Sequence, residues 1–156
     1  MFDYRCAEPQ DAALILEFIR GLADYEKMLD EVVATEELLR EWIFEKQKAE
    51  VIFALEDGKE VGFALFFHNF STFLGRAGIY LEDLFVLPDH RGKGHGRGLL
   101  RQLANITLER GCGRLEWSCL DWNKPSIDFY RSLGAVPMEE WTVYRLTGET
   151  LKKMAE

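Results

Sequence analysis

The sequence predicts a mixed α/β domain whose central sheet is partly antiparallel and flanked by helices. Three observations predict it. Apolar runs from Val51 to Leu55 and from Val61 to Phe67 are joined by Glu56-Asp57-Gly58-Lys59, a hairpin signal with Asp-Gly at the turn. The run Tyr80 to Leu87 passes through Pro88-Asp89 into glycines at 92, 94, 96 and 98 and then into an amphipathic pattern, which reads strand, loop, helix. Leu115 to Leu120 follows that helix as another strand, parallel to the central one if the crossover is right-handed. Strands thus come first as a meander, and the crossover helix only afterwards.

Each element has a local reason. Phe2 to Cys6 is a short mixed apolar strand, and Glu8-Pro9-Gln10-Asp11 supplies the turn and acids where a helix begins. Ala13, Leu14, Leu16, Phe18, Ile19 and Leu22 recur with helical spacing, and Thr35-Glu36-Glu37-Leu38 reads as the N-cap of a second helix through Trp42 to about Lys46. Asp24, Tyr25, Glu26, Asp30 and Glu31 make an acidic joint between the two, which composition alone reads as a solvated loop. Asn69 to Gly78 reads as a polar connection into the central strand, on which strict alternation puts Glu82 and Asp83 on opposite faces. Leu99, Leu100, Leu103, Ile106 and Thr107 mark a helix ending at Gly111 or Gly113. Asp121 to Ser126 opens another, with Pro125 tolerated in its first turn and Gly134 placed to end it. Strands are expected near Ala135 to Met138 and Trp141 to Leu146, then a short helix from Thr147 to Met154.

Composition narrows the function. A chain of 156 residues with 47% hydrophobic content is expected to form a single domain over 1–156. No apolar run approaches the roughly 18 residues of a membrane span, and no basic-then-apolar leader begins the chain, so a cytoplasmic protein is expected. Cys6, Cys112 and Cys119 are an odd set without Cys-x-x-Cys spacing, and His68, His90 and His95 show no ligand spacing with them; neither a disulfide framework nor a metal site is expected. The net charge of -8 argues against a nucleic-acid surface and favours a cationic or amine partner.

Local sign opposes global sign after the central strand. Glycine allows positive φ and close approach to bare N–H groups, a helix N-terminus adds unsatisfied donors, and Arg91, Lys93, Arg97 and Arg101 add charge, so an anionic phosphate is the natural guest. Gly94, not Ser or Thr, follows Lys93, which excludes a P-loop, and the third glycine of a dinucleotide fingerprint falls on Arg97 or Leu99. A flexible hinge would have no use for cations spaced between its glycines. What remains is Arg91-Gly92-x-Gly94-x-Gly96 between a buried strand and a helix. This resembles the diphosphate loop of the GNAT superfamily of N-acetyltransferases, and the resemblance implies the GNAT fold, with acetyl-CoA as cosubstrate held at Arg91, Gly92, Lys93, Gly94, His95, Gly96 and Arg97.

Asn123-x-Pro-Ser-x-x-Phe-Tyr-x-x-x-Gly-Ala is similar to that family's C-terminal motif. The resemblance implies coenzyme contacts at Asn123, Ser126 and Tyr130, and along the central strand at Leu84, Phe85 and Val86, where a backbone N–H near Phe85 or Val86 would polarise the thioester oxygen. Leu22 to Met28, Ile79 to Val86 and Leu120 to Asn123 resemble, more closely, the diamine (spermidine/spermine) and thialysine N-acetyltransferases. Carried over by motif, Tyr25, Glu26, Glu82, Asp83 and Trp141 would line an amine site, Glu82 would accept the amine proton through water, and Tyr130 would protonate the departing thiolate. Phe73 stands in a segment where those relatives often have tryptophan, and Lys27 interrupts the acids after Tyr25, so substrate identity is less defined than the chemistry. The expected function is direct acetyl transfer to a primary amine of a small polyamine or an amino-acid analogue such as thialysine, by a homodimer. A protein or peptide N-acetyltransferase, or a non-catalytic coenzyme A-binding sensor, is the alternative on the same fold.

Overall fold

The computed structural model describes Phe2–Glu156. The chain divides into two compact units, one running through Ser118 and the other Cys119–Glu156. In the first, five strands lie in the order β1 (Phe2–Cys6), β2 (Glu50–Glu56), β3 (Lys59–Ser71), β4 (Arg76–Val86), β5 (Leu115–Trp117). The first four pair antiparallel and β5 pairs parallel to β4. That is the meander followed by a crossover read from the sequence.

Helix α1 (Ala12–Tyr25) packs on one face of the sheet. Its buried stripe meets Phe53, Phe63 and Phe85 through Ile15 and Phe18, with the Phe18 and Phe63 rings 5.5 Å apart. Gly21 stands in this helix where alanine would favour it by roughly 1 kcal/mol. A Cβ there would meet Phe85 Cζ at 2.7 Å, so its absence lets the C-terminal half of α1 close onto β4. Helix α2 (Glu36–Leu39), capped by the Thr35 side chain, continues as one π-helical stretch, Arg40–Glu45. Helix α3 (His95–Glu109) lies against β2, β3 and β4, with Leu99 and Leu103 fully buried. At Gly98 a Cβ would overlap the Tyr4 hydroxyl, so this last glycine of the loop serves close packing of α3 on β1.

Three expectations are corrected here. Asn69 to Gly78 is not a polar connection: β3 and β4 pair out to Ser71 and Arg76 around a turn of four residues, so backbone pairing overrides side-chain polarity. The strand expected over 115–120 is confined to Leu115–Trp117. Glu82 and Asp83 do not alternate, because the β3–β4 register slips between Leu65 and Phe66: Leu65 faces Asp83, Phe66 faces Leu81, and Glu82 is the extra residue of a β-bulge.

The second unit holds α4 (Lys124–Ser132) and α5 (Gly148–Met154). Asn123 caps α4 by accepting from the Ser126 N–H at 3.4 Å, and Gly134 takes φ 89° just past its end, as expected of a helix stop. The strands expected at 135–138 and 141–146 do not form. Apolar residues make a strand only where a neighbour takes their N–H and C=O groups, and among the described residues no ladder includes 135–146.

Candidate active site

The bulge at Glu82 reorganises the end of β4. Phe66 lies under the Arg110 guanidinium at the end of α3, so its partner Leu81 faces α3, whereas Leu65 and Phe85 belong to the core under α1. Asp83, opposite Leu65, therefore shares the α1 face. Its carboxyl is pushed up to about 6 by burial first, then by the Glu82 and Glu26 charges. Burial also raises Glu26, the residue that ends α1. The structure thus gathers Glu26, Glu82 and Asp83 into one acidic group, and the expected solvated joint supplies one of its three members.

The same bulge sets which amides are available. Ile79 donates to Arg114 O at 3.0 Å, towards β5, while Leu87 donates to Val61 O at 2.8 Å, towards β3. Strict alternation would turn Phe85 towards β5; with one extra residue at Glu82, Phe85 turns into the β3 ladder, and Leu84 and Val86 face the other edge. The β4–β5 pairing ends at Leu81 and Trp117, so along that edge the Leu84 and Val86 amides have no strand partner within this unit among the described residues. Of the two amides named from the sequence, that of Val86 faces the open edge. Phe85 instead puts its ring into the core.

Past β4, a single turn at Pro88–His90 leads into the glycine loop. Gly92 and Gly94 take φ 78° and 95°, and Gly94 caps α3 in the left-handed region. The first intrahelical bond is Gly98 N–H to Gly94 O at 2.9 Å, so the amides of His95, Gly96 and Arg97 precede the helical ladder. A Cβ at Gly92, Gly94 or Gly96 would meet nothing within 4 Å. An open face lined with main-chain donors at a helix N-terminus has the shape and charge a diphosphate requires.

The side chains expected around this loop divide. Arg97 is exposed. Lys93 Nζ reaches Glu56 Oε1 at 3.2 Å, and the His95 ring turns inward, 1% exposed. Arg91 turns towards the α1 face: its Nε donates to Val86 O at 2.9 Å and its guanidinium lies 5.1 Å from the Tyr25 ring and 5.3 Å from that of Phe85. In the second unit, Tyr130 lies on α4 with its ring 5.6 Å from that of Phe129. Trp141 is 74% exposed beside a turn closed by its N–H on Met138 O. Sequence reasoning missed Glu56, which reads as a hairpin acid, and missed the inward turn of Arg91.

Residues 17–135 match the family model described as the acetyltransferase (GNAT) family. The chain is 37% identical to a thialysine N-epsilon-acetyltransferase of Bos taurus, over 97% of this chain and 95% of that protein. It is 31% identical to a human spermidine/spermine N(1)-acetyltransferase-like protein, over 99% of this chain and 24% of that one. Among solved structures it is similar to an integron cassette protein from the mobile metagenome of V. cholerae, with a TM-score of 0.82, 31% identity, and coverage of 99% and 98% of the two chains.

Proposed function

Because this chain belongs to the acetyltransferase (GNAT) family, we infer that it transfers an acetyl group from acetyl-CoA directly to a primary amine of a small substrate. It is an N-acetyltransferase. The named relatives favour a thialysine-like amino acid, with polyamines as the neighbouring class. The family match crosses both compact units, which supports reading the chain as a single acetyltransferase domain.

The observation that carries the mechanism is the bulge that sets Asp83, a half-buried carboxyl pushed up to about 6, beside Glu82 and Glu26 on the strand that leads into the glycine loop. An aliphatic amine is protonated at neutral pH and cannot attack until it loses that proton. The acidic group attracts the ammonium, and the Glu82–Asp83 pair takes its proton, the raised Asp83 carboxyl having a proton affinity close to neutral conditions. When bound, acetyl-CoA supplies the acetyl group as a thioester. The main-chain amides from Gly92 to Arg97 would hold the diphosphate, and the Val86 amide on the open edge would stabilise negative charge on the thioester oxygen. Asn123, Ser126 and Tyr130 are assigned to the coenzyme by their motif, with the Tyr130 phenol as proton donor to the thiolate. Tyr25 and Trp141 are assigned to the amine.

A homodimer, a cytoplasmic location and no nucleic-acid partner belong to the same reading; the net charge of -8 supports the last. Thiol release from acetyl-CoA on a panel of thialysine, lysine, spermidine and putrescine tests the function. Turnover with at least one of these amines is expected. Coenzyme binding without transfer to any amine would make the chain a coenzyme sensor instead.

A further inference from the structure

Outside the acidic group, the most unusual side chain in the molecule is His95. It is 1% exposed, and neither of its ring nitrogens has a hydrogen-bond partner among the described residues. Buried polar atoms are nearly always satisfied, so such an atom calls for a reason. Its ring packs 4.0 Å from that of Phe2, and Nε2 lies 3.7 Å from Glu56 Oε1, just beyond hydrogen-bond reach.

Glu56 is the last residue of β2, on the inner side of the glycine loop. Its carboxylate is bonded to His90 Nδ1 at the start of the loop and to Lys93 Nζ in the middle, and it approaches His95 at the end. One side chain therefore touches the entry, centre and exit of a segment that contains two glycines at positive φ. Burial raises its carboxyl, and the bonds from His90 and Lys93 outweigh that and hold it below the ordinary glutamate range.

A carboxylate beside an anion site opposes the anion's charge, so its value there must come from something other than attraction. We propose that Glu56 is a positioning residue for the coenzyme: through His90 and Lys93 it holds the glycine loop in its binding conformation before the diphosphate arrives, with His95 standing just outside bonding distance of the same carboxylate. Left untethered, the loop would have to be ordered on binding, and ordering even one backbone residue changes a binding constant roughly tenfold. The short gap to His95 is where the tether tightens: binding on the open face draws the His95 imidazole into a hydrogen bond with Glu56.

This rests on the coenzyme reading above, and the test separates the two. Acetyl-CoA is titrated calorimetrically into wild-type, Glu56→Ala and Glu56→Gln proteins, each checked for folding by circular dichroism. No binding by the wild type would defeat the coenzyme reading. With wild-type binding in hand, Glu56→Ala is expected to weaken coenzyme affinity about tenfold or more, with kcat at saturating coenzyme and KM for the amine within about twofold. Glutamine, which keeps an acceptor for His90 and Lys93, is expected to restore affinity to within about threefold of wild type. Affinity unchanged or increased in a folded Glu56→Ala protein would overturn the proposal and make Glu56 a mere counter-charge to Lys93. Should that variant fail to fold, His90→Ala removes one tether from the surface, with about threefold weaker binding expected and no change overturning the proposal. Side-chain 15N NMR of His95 provides a further readout: its signals should shift when acetyl-CoA is added to wild type, and fixed signals there would refute the closing hydrogen bond.

Discussion

Replacing Asp83 by asparagine should make the protein more stable and less active at once. The carboxyl titrates near 6 in the folded chain against an ordinary 3.8. At about 1.4 kcal/mol for each pH unit, keeping it ionised in the fold costs about 3 kcal/mol relative to the unfolded chain. The sign follows from the direction of the shift. Well below 3.8 the group is protonated in both states and imposes no cost; the cost grows as pH rises and is complete above about 6. Asparagine keeps the shape and removes the charge, so urea unfolding should show Asp83→Asn about 3 kcal/mol more stable than wild type at pH 8 and nearly equal to it at pH 4. Relief of the repulsion from Glu82 and Glu26 is part of this figure, since both charges contribute to the shift. Equal stability at pH 8, or a gain that is the same at both pH values, would show that Asp83 is not held against its charge and would remove the physical basis of its role.

Other consequences can be checked separately. Tyr130→Phe should lower kcat at least tenfold while calorimetric affinity for acetyl-CoA stays within about twofold, since only a donor acting late in the reaction is lost; equal turnover would remove Tyr130 from the mechanism. Gly96→Ala should fold with little loss of stability, because nothing lies within 4 Å of the added Cβ, yet weaken acetyl-CoA binding severalfold by intruding on the open face. Gly98→Ala should do the reverse, losing stability through overlap with Tyr4. Arg5 bonds Asp11 Oδ2 and Glu60 Oε1, both at 2.8 Å, and its hydrogen bonds hold both carboxyls below their ordinary range. That contribution is present above the ordinary carboxyl range and lost as pH falls through the lowered values. Arg5→Met should therefore cost about 1 kcal/mol at pH 7 and flatten the acid limb of the stability curve, as read by thermal melts at pH 3 to 7.

Much of this was legible because the loop signals its purpose through backbone chemistry. Glycines at alternate positions among cations, bounded by an apolar strand and an amphipathic helix, have few physical uses, and Gly92, Gly94 and Gly96 do turn an unobstructed face outward. The bulge was not legible: nothing in Tyr80-Leu81-Glu82-Asp83-Leu84 says where two residues will face one. Two adjacent acids in an apolar strand were nevertheless a hint, because alternation would bury one of them on each face and a bulge spares the sheet that cost. Glu56 was hidden for another reason, since an acid before Asp-Gly is ordinary turn chemistry and its partners lie 34 to 39 positions away. The segment from Ala135 to Leu146 misled because periodicity reports which residues could join a sheet, not whether an edge receives them.

The central claim is that the acidic group at the bulge takes the proton from the amine, and the pH dependence of kcat/KM for the best amine of the panel tests it most directly. Wild type is expected to show a rising limb centred at about pH 6, where Asp83 loses its proton, and Asp83→Asn should lose that limb together with most of the activity. A profile that is flat from pH 5 to 8, or a limb that survives unchanged in Asp83→Asn, would contradict the account.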